Sequence, residues 1–160
     1  MFTNPLYLIK GVFGRTFYII PQRPERIQIE ITNRCNYTCG MCPRESFNLP
    51  EKDISLDLFK KIIDRLAPFS EKGLETPYNV TLTGWGEPLI HPALMDMIVY
   101  TKDKGHNVGV TTNGLLLAPF IEKFIEKSLE KLTISLDSVE EGVEVKEGHP
   151  SNKVVQKNIE

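Results

Sequence analysis

Short apolar runs alternate with stretches of helical periodicity along most of the chain. Four runs that are rich in β-branched residues and bounded by glycine, proline or polar clusters predict strands. These strands are predicted at residues 27–32, 79–83, 107–112 and 131–136. Strands that alternate with helical segments indicate an α/β fold with a parallel sheet and right-handed crossovers.

The segments between these strands carry apolar residues at helical spacing. The first helix is predicted to begin after the N-cap Ser55 and to end at Pro68. Its apolar face is predicted to comprise Phe59, Ile62, Ile63 and Leu66. The second helix is predicted between Pro92 and Gly105, because proline suits a first helical position and glycine suits a helix end.

Two more helices are predicted after the third and fourth strands. Pro119 is expected to start the first of them, and Ser151 is a predicted cap for the second. The inward residues of the former are predicted to be Ile121, Phe124, Ile125 and Leu129. The apolar side of the latter is predicted to comprise Val154, Val155 and Ile159.

We divide the chain into an N-terminal extension at residues 1–26 and a βα core at residues 27–160. A βα unit takes about 30 residues, so the core is expected to hold about four units. No GxGxxG motif follows the first strand, so a dinucleotide-binding fold has no support. Lys10 and Arg15 interrupt the apolar extension, which therefore lacks the ~20 apolar residues of a transmembrane segment. We expect it to pack on the domain, with contact to a membrane surface as the alternative.

The composition is that of one ordinary globular domain. The 160 residues are 41% hydrophobic and 25% charged. The net charge of −2 gives no indication of binding to nucleic acid or to an anionic membrane. All three cysteines lie in one loop, so no pair remains elsewhere to cross-link a secreted fold. This favours a reducing compartment, and we expect a cytoplasmic protein.

The three cysteines Cys35, Cys39 and Cys42 follow the first predicted strand with the spacing C-x3-C-x2-C. Cysteines that serve as small core residues would be scattered among the elements, whereas three thiolates in one loop can converge on a metal or cluster. Structural zinc and ordinary [4Fe–4S] clusters both take four protein ligands. Three thiolates on a four-iron cluster would leave one iron open to a small molecule.

Two other interpretations of this loop remain open. A zinc site would need a fourth ligand such as histidine, although no histidine lies near the loop in the sequence. A redox disulfide between Cys39 and Cys42 is the second, since their C-x-x-C spacing supports it. A thiol oxidoreductase of that kind would need one cysteine with a lowered pKa.

Each predicted strand is followed by a polar or glycine-rich motif. The cysteine loop, Gly84-Trp85-Gly86-Glu87-Pro88, Thr111-Thr112-Asn113-Gly114 and Ser135-Leu136-Asp137-Ser138 come in this order. In α/β folds with parallel strands, chemistry gathers at the carboxyl ends of the strands. Four such motifs at one edge of the sheet are hard to explain by packing, so we expect a functional site there.

These motifs, in this order, resemble the radical S-adenosylmethionine (SAM) superfamily, and the resemblance covers residues 27–160. It implies a [4Fe–4S] cluster, SAM chelated at the open iron, and reductive cleavage of SAM to a 5′-deoxyadenosyl radical. The family core is a partial (β/α)6 barrel. We therefore expect about four of its six βα units here, in a partial parallel barrel that is truncated or begins a longer protein.

The resemblance also implies roles for individual residues. Cys35, Cys39 and Cys42 would each ligate one iron. The residues that would bind SAM are Met41, Gly84, Gly86, Glu87, Asn113, Ser135 and Asp137. Met41 would pack near the adenine, and the last three would contact the carboxylate or ribose.

The region from Gly84 to Glu87 matches the family segment that holds the SAM ammonium group. Glycines allow the backbone to come close, and carbonyls and a carboxylate accept hydrogen bonds from a cation. The alternative for Glu87 is a solvated loop charge. Trp85, at a position where the family often has glycine, would fill space beside the cofactor or anchor the core. For Asn113, Ser135 and Asp137 the alternative is turn and capping chemistry.

No general acid or base can be nominated, and His91, His106 and His149 are expected to be surface or loop residues. Cys42-Pro43-Arg44 together with GWGEPLIHP is similar to family members with a C-terminal cluster-binding, SPASM-like extension. Such members modify peptides or assist cofactor maturation, so the substrate is expected to be a peptide or a small molecule. The resemblance further implies an electron donor such as flavodoxin or ferredoxin. The competing class is a non-catalytic metal- or iron–sulfur-binding module, which would not need Glu87 and its glycines.

Overall fold

The structure is a computed structural model of the chain. It describes residues 8–10, 16–18, 24, 26–66, 69–71, 74–136 and 152–158. The predicted cap Ser151 and the predicted apolar residue Ile159 lie outside the described residues.

The strands and helices of the described part follow the alternation predicted from the sequence. Its strands are β1 (Leu8–Lys10), β2 (Thr16–Tyr18), β3 (Arg26–Ile29), β4 (Phe69–Glu71), β5 (Leu74–Thr76), β6 (Asn79–Leu82), β7 (Asn107–Thr112) and β8 (Lys131–Ile134). Its α-helices are α1 (Leu56–Arg65), α2 (Leu94–Asp103), α3 (Ile121–Glu126) and α4 (Asn152–Lys157). Short 3-10 helices occupy Pro43–Phe47, Pro88–Ile90 and Ala118–Phe120.

Four parallel strands form the central sheet, in the order β3-β6-β7-β8. Ile29 pairs with Leu82, which pairs with Val110, and Thr112 pairs with Ile134. Helices α1, α2 and α3 connect consecutive strands of this sheet. The prediction of an α/β fold with a parallel sheet is therefore confirmed. The carboxyl ends of all four strands lie at one edge, as the register requires.

The two faces of the sheet differ sharply in polarity. The face covered by helices holds the core, because alternate strand residues point to it. Its fully buried members include Val80, Leu82, Val108, Val110, Phe59, Ile63, Met97 and Ile98. On the opposite face, Gln28, Thr81, Thr111 and Thr133 line an open groove of about 540 Å³. The sheet therefore separates an apolar core from a polar concave surface.

Two small antiparallel ladders were not predicted. Strand β1 pairs with β2 in the N-terminal extension, and β4 pairs with β5 between α1 and β6. Each of these strands has three residues. Strands this short do not show enough alternation for a pattern-based prediction.

Helix ends mostly follow the capping signals. The Ser55 hydroxyl accepts a hydrogen bond from the Leu58 backbone N–H at 3.2 Å, which confirms this N-cap. Gly105 ends the second helical segment with φ of +77°.

The prediction for Ile125 was wrong, because its side chain is 73% exposed while Phe124 is buried. Pro119 lies in a 3-10 turn instead of starting α3. A 3-10 turn is wound more tightly than an α-helix, which changes the residues that face the core.

Helix α4 is attached to the turn that follows β7. Val155 is fully buried, and a Cβ built on Gly114 would lie only 2.6 Å from its Cγ1 atom. The Asn158 side chain donates hydrogen bonds to the carbonyl oxygens of Gly114 and Leu115 at 3.0 and 2.8 Å. This helix therefore supports the carboxyl edge of the sheet. Within the described ranges, no helix is long and apolar enough to span a membrane.

The core packing gives a direct test on α1. Phe59 is 0% exposed, so Phe59→Ala should lower the free energy of unfolding by about 3–5 kcal/mol through lost burial and a cavity. The neighbouring Leu58 is 51% exposed, and Leu58→Ala should change the free energy of unfolding by less than about 0.5 kcal/mol. Urea denaturation followed by circular dichroism measures both. Equal effects of the two substitutions would contradict the assignment of the core face.

Candidate functional site

The cysteine loop leaves and re-enters the fold through a short ladder at its base. Thr32 forms an isolated antiparallel bridge with Asp53. The Asn33 backbone N–H donates to the Lys52 carbonyl at 3.2 Å, and the Asn33 side chain accepts from the Lys52 N–H at 2.6 Å. The same side chain donates to the Pro50 carbonyl at 3.0 Å. Hydrogen bonds within the chain therefore hold both ends of the loop together.

An ion pair reinforces this base. Arg34 donates two hydrogen bonds to the Asp53 carboxylate, from Nε at 2.9 Å and from Nη2 at 2.6 Å, and the Thr32 hydroxyl adds a third at 2.6 Å. Burial alone would raise the pKa of Asp53. The hydrogen bonds from Arg34 and Thr32 and the Arg34 charge outweigh burial and hold this pKa below its usual value.

The three cysteines are half-buried, and none of them forms a disulfide. The Cys42 N–H donates to the Cys39 carbonyl at 2.8 Å, so these two residues lie in one tight turn. Arg44 donates to the Tyr37 carbonyl at 3.3 Å, which fixes the middle of the loop. Burial raises the pKa of the Cys35 thiol, and a backbone hydrogen bond from Tyr37 opposes this shift.

The arrangement of donors bears on the kind of metal that this loop fits. Across the described residues, no group of three or more His, Cys, Asp or Glu side chains is arranged to hold a single metal ion. Three thiols on one loop, none of them in a disulfide, match the donor set that a [4Fe–4S] cluster takes on three of its irons.

The loop that follows β6 approaches the cysteine loop so closely that Gly86 leaves no room for a side chain. A Cβ at this position would lie 2.1 Å from the Thr32 carbonyl oxygen and 2.7 Å from that of Arg34. At Gly84 a Cβ would lie 2.5 Å from the Glu30 side chain. We predicted close backbone approach to a cofactor. The structure shows close approach of the chain to itself, and SAM contact by these glycines stays a prediction.

Trp85, between these glycines, lies at the surface. Its backbone N–H donates to the Glu30 carboxylate at 2.6 Å, and its ring is 50% exposed. The ring meets Phe47 edge-on, with centroids 5.9 Å apart. Both rings line a cleft of about 260 Å³ that Arg44 and Glu51 also border. The interpretation of Trp85 as a core anchor is therefore wrong.

Glu87 is 2% exposed, so the interpretation as a solvated loop charge is also wrong. One carboxylate oxygen accepts from the Leu89 N–H at 2.9 Å and from the Thr112 hydroxyl at 2.7 Å. The other accepts from the Asn113 N–H at 2.8 Å. Burial raises the pKa of Glu87, and the hydrogen bonds from Asn113, Leu89 and Thr112 oppose the shift. The Glu87 N–H itself donates to the Arg34 carbonyl at 2.8 Å.

Asn113 connects the turn after β7 to the cysteine loop. Its side-chain amide donates to the Asn36 side chain at 2.8 Å, and its side-chain oxygen accepts from the Leu115 N–H at 3.0 Å. The second bond is the turn chemistry that the sequence allowed. The first brings the turn next to Cys35, which precedes Asn36. Contact of Asn113 with a cofactor stays a prediction.

The other predicted cofactor residues lie nearby or outside the described part. Ser135 follows β8 directly, and its N–H donates to the Thr112 carbonyl at 2.9 Å. Met41 is 59% exposed on the cysteine loop. Asp137 lies outside the described residues. The structure thus joins the cysteine loop, the loop after β6 and the turn after β7, with Ser135 at the end of the neighbouring strand.

Two of the three histidines are loop residues, as the expectation of surface or loop residues allowed, but they are buried. His91 and His106 lie in connecting segments but are only 4% and 3% exposed. His91 bonds the Ile54 carbonyl at 3.1 Å and accepts from the Ala93 N–H at 3.1 Å, so it ties the start of α2 to the chain after the cysteine loop. The only sequence signal was its position between an apolar residue and a proline. His149 lies outside the described residues.

Comparison with protein families decides the identity of this arrangement. The sequence model of the Radical SAM superfamily matches residues 29–160. The chain belongs to the radical SAM superfamily. This superfamily uses a [4Fe–4S] cluster and SAM, so the resemblance inferred from the four motifs is confirmed.

Curated relatives of this radical SAM chain include proteins of two kinds. One is the tungsten-containing aldehyde ferredoxin oxidoreductase cofactor-modifying protein of Pyrococcus furiosus, 35% identical over 112 residues that cover 69% of this chain and 30% of that protein. Another is a probable GTP 3',8-cyclase of Archaeoglobus fulgidus, 31% identical over 133 residues that cover 83% of this chain and 40% of that protein. The chain thus spans about a third of the length of these relatives.

Solved structures agree on the fold. The structure of BtrN in complex with AdoMet and 2-DOIA superposes with a TM-score of 0.59 at 20% identity, over 72% of this chain and 46% of that chain. BtrN in an open conformation gives a TM-score of 0.62 at 19% identity, over 76% of this chain and 54% of that one. At this identity the likeness shows the fold alone, namely part of the radical SAM barrel.

The contact at Gly86 yields a stability test. Gly86→Ala should lower the free energy of unfolding by about 3 kcal/mol, because backbone atoms of Thr32 and Arg34 must move to admit the methyl group. At Gly40, on the cysteine loop, an added methyl group would meet nothing within 4 Å. Gly40→Ala should therefore change the free energy of unfolding by less than about 0.5 kcal/mol. Chemical denaturation of the metal-free chain compares them. An unaffected Gly86→Ala variant would refute the close contact.

The ion pair at the loop base predicts a pH dependence. Because the pKa of Asp53 is lowered on folding, its stabilisation is complete above the unfolded pKa of about 3.9 and is lost as pH falls through the folded pKa. Asp53→Asn should therefore cost about 1 kcal/mol at pH 7 and progressively less below about pH 4. Denaturation curves of both proteins between pH 2 and pH 7 provide the check. A constant difference across this range would count against the ion pair.

Proposed function

We propose that Cys35, Cys39 and Cys42 hold a [4Fe–4S] cluster and that SAM binds at the iron without a cysteine ligand. The observation that carries this proposal is the direct joining of the cysteine loop to two other motifs. Glu87 bonds the Arg34 carbonyl just before Cys35, and Asn113 bonds Asn36 just after it. These contacts bring the segments that we assign to SAM, residues 84–86 and Asn113, next to the first proposed cluster ligand.

When bound by Cys35, Cys39 and Cys42, the cluster would supply the electron for reductive cleavage of SAM to methionine and a 5′-deoxyadenosyl radical. The chain orients SAM for this step. We assign the ammonium group to carbonyl oxygens of residues 84–86, because the Glu87 carboxylate already accepts three hydrogen bonds. Asn113, Ser135 and Asp137 are assigned to the carboxylate or ribose of SAM, and Met41 to its adenine.

The substrate is assigned to the groove on the polar face of the sheet. The side chains of Gln28, Thr81, Thr111 and Thr133 offer hydrogen-bonding groups along its length. Such a lining suits a polar substrate better than an apolar one, because an apolar ligand would leave these groups unpaired. Relatives named as a cofactor-modifying protein and as GTP cyclases favour cofactor maturation over peptide modification.

The proposed reaction requires a one-electron donor, for which flavodoxin or ferredoxin are the candidates, and a reducing cytoplasm. An oxygen-sensitive cluster and cysteines that form no disulfide both fit that compartment. A nucleic-acid partner is not proposed, because the net charge of −2 provides no basic surface excess. The domain division at residue 27 is retained as part of the proposal.

The proposal is tested by anaerobic reconstitution of the chain with iron and sulfide, followed by EPR of the dithionite-reduced protein. Addition of SAM should change the shape of a four-iron signal, and chromatography should detect 5′-deoxyadenosine and methionine. Cys39→Ala should lose the four-iron signal. The matched variant Thr38→Ala, one residue away and exposed, should retain it.

Three outcomes would contradict the proposal in different ways. Full iron retention in Cys39→Ala would remove this residue from the ligand set. A cluster whose spectrum ignores SAM would indicate the non-catalytic iron–sulfur module. Zinc in place of iron after aerobic and anaerobic preparation alike would overturn the cluster assignment.

A further inference from the structure

Glu87 is the only acidic side chain that is buried among the residues the structure describes. Burial of a carboxylate is unfavourable unless hydrogen bonds compensate the lost hydration. Here three donors reach it: the Leu89 N–H, the Thr112 hydroxyl and the Asn113 N–H. They come from its own 3-10 helix and from the end of β7. The carboxylate therefore joins two neighbouring strand ends from within.

The same residue reaches the cysteine loop on both sides of Cys35. On the near side, the Glu87 N–H bonds the Arg34 carbonyl at 2.8 Å. On the far side, the Asn113 backbone N–H donates to the Glu87 carboxylate. The Asn113 side chain in turn donates to Asn36 at 2.8 Å. Cys35 thus lies between two residues whose positions depend on Glu87.

We propose that Glu87 is a positioning residue for Cys35, which fixes the cysteine loop and the turn after β7 by hydrogen bonds and does not contact SAM. This inference rests on the proposed cluster site. It departs from the expectation that the Glu87 carboxylate receives the SAM ammonium. It also explains why an acid occurs at a position with almost no solvent exposure.

The hydrogen-bonding capacity of the group supports this role. A carboxylate only accepts, and both of its oxygens already face donors inside the protein. The Thr112 hydroxyl accepts from the Gly114 N–H at 3.0 Å and so directs its own proton to Glu87. An amide at position 87 would place an NH2 group against the N–H of Asn113 or of Leu89 in either orientation. Glu87→Gln therefore replaces an attractive contact with an unsatisfied donor pair.

The test compares EPR spectra of the reduced, cluster-loaded full chain before SAM is added. Glu87→Gln should shift the g-values of the SAM-free cluster, because the segment around Cys35 moves. Hydrogen-exchange mass spectrometry should also show about tenfold faster exchange in peptides that contain Asn113, as expected from loss of one charged hydrogen bond. Glu126→Gln, an exposed carboxylate on α3 that pairs with Lys127, is the matched control and should behave as wild type.

Thr112→Val provides a second variant that removes one donor without removing the carboxylate. A model in which Glu87 acts only by contacting SAM predicts no effect of this substitution on the SAM-free spectrum. Positioning through Glu87 predicts a shift of the SAM-free spectrum and faster exchange at Asn113, both smaller than in Glu87→Gln. If Glu87→Gln does not fold, Thr112→Val alone decides: unchanged spectra and exchange would overturn the inference.

The inference and the proposed function fail in distinguishable ways. If Glu87→Gln keeps the SAM-free spectrum and the Asn113 exchange of wild type but loses the response to SAM, Glu87 is a SAM ligand and the positioning role is wrong. If wild type takes up no cluster, the proposed function is wrong. The exchange rates of the cluster-free proteins then show whether Glu87 fixes the turn after β7, and equal rates would overturn that role as well.

Discussion

The contact between the loop after β6 and the first residues of the cysteine loop determines most of what the site can do. Gly86 lies against the carbonyl oxygens of Thr32 and Arg34, and the Glu87 N–H bonds the second of them. These are backbone contacts, so they set the separation of the two loops independently of side-chain rotamers. The parallel sheet brings both strand ends to the same edge. The backbone contact then fixes how the two loops lie relative to each other.

Around that contact, the two faces and the carboxyl edge of the sheet differ in their chemistry. Helices α1 and α2 bury Phe59, Ile63 and Met97 against one face, which provides the hydrophobic stabilisation. The other face is left polar, and the carboxyl edge carries the thiols. This division would serve the proposed radical chemistry, because the packed core holds the edge while the polar groove stays open to the proposed substrate.

The sequence predicted the parts of this structure that depend on local patterns. The bounds of the third strand were those of β7, because alternation, glycine and flanking polar residues all agreed. The burial of Glu87 was not predictable, since its partner Thr112 is 25 residues away and only the fold brings them together. The burial of His91 and the exposure of Ile125 were missed for related reasons: tertiary contacts buried the first, and a 3-10 turn changed the helical phase of the second. The four motifs identified the family because their order survives such local uncertainty.

The ladder between Thr32–Asn33 and Lys52–Asp53 has a consequence for how the apoprotein and its metal are related. In small zinc domains the loop entropy is lost only when the ion binds, so removal of the metal unfolds the chain. Here the chain closes the loop during folding, and less ordering remains for the cluster to impose. The chain should therefore stay folded when the proposed cluster is absent.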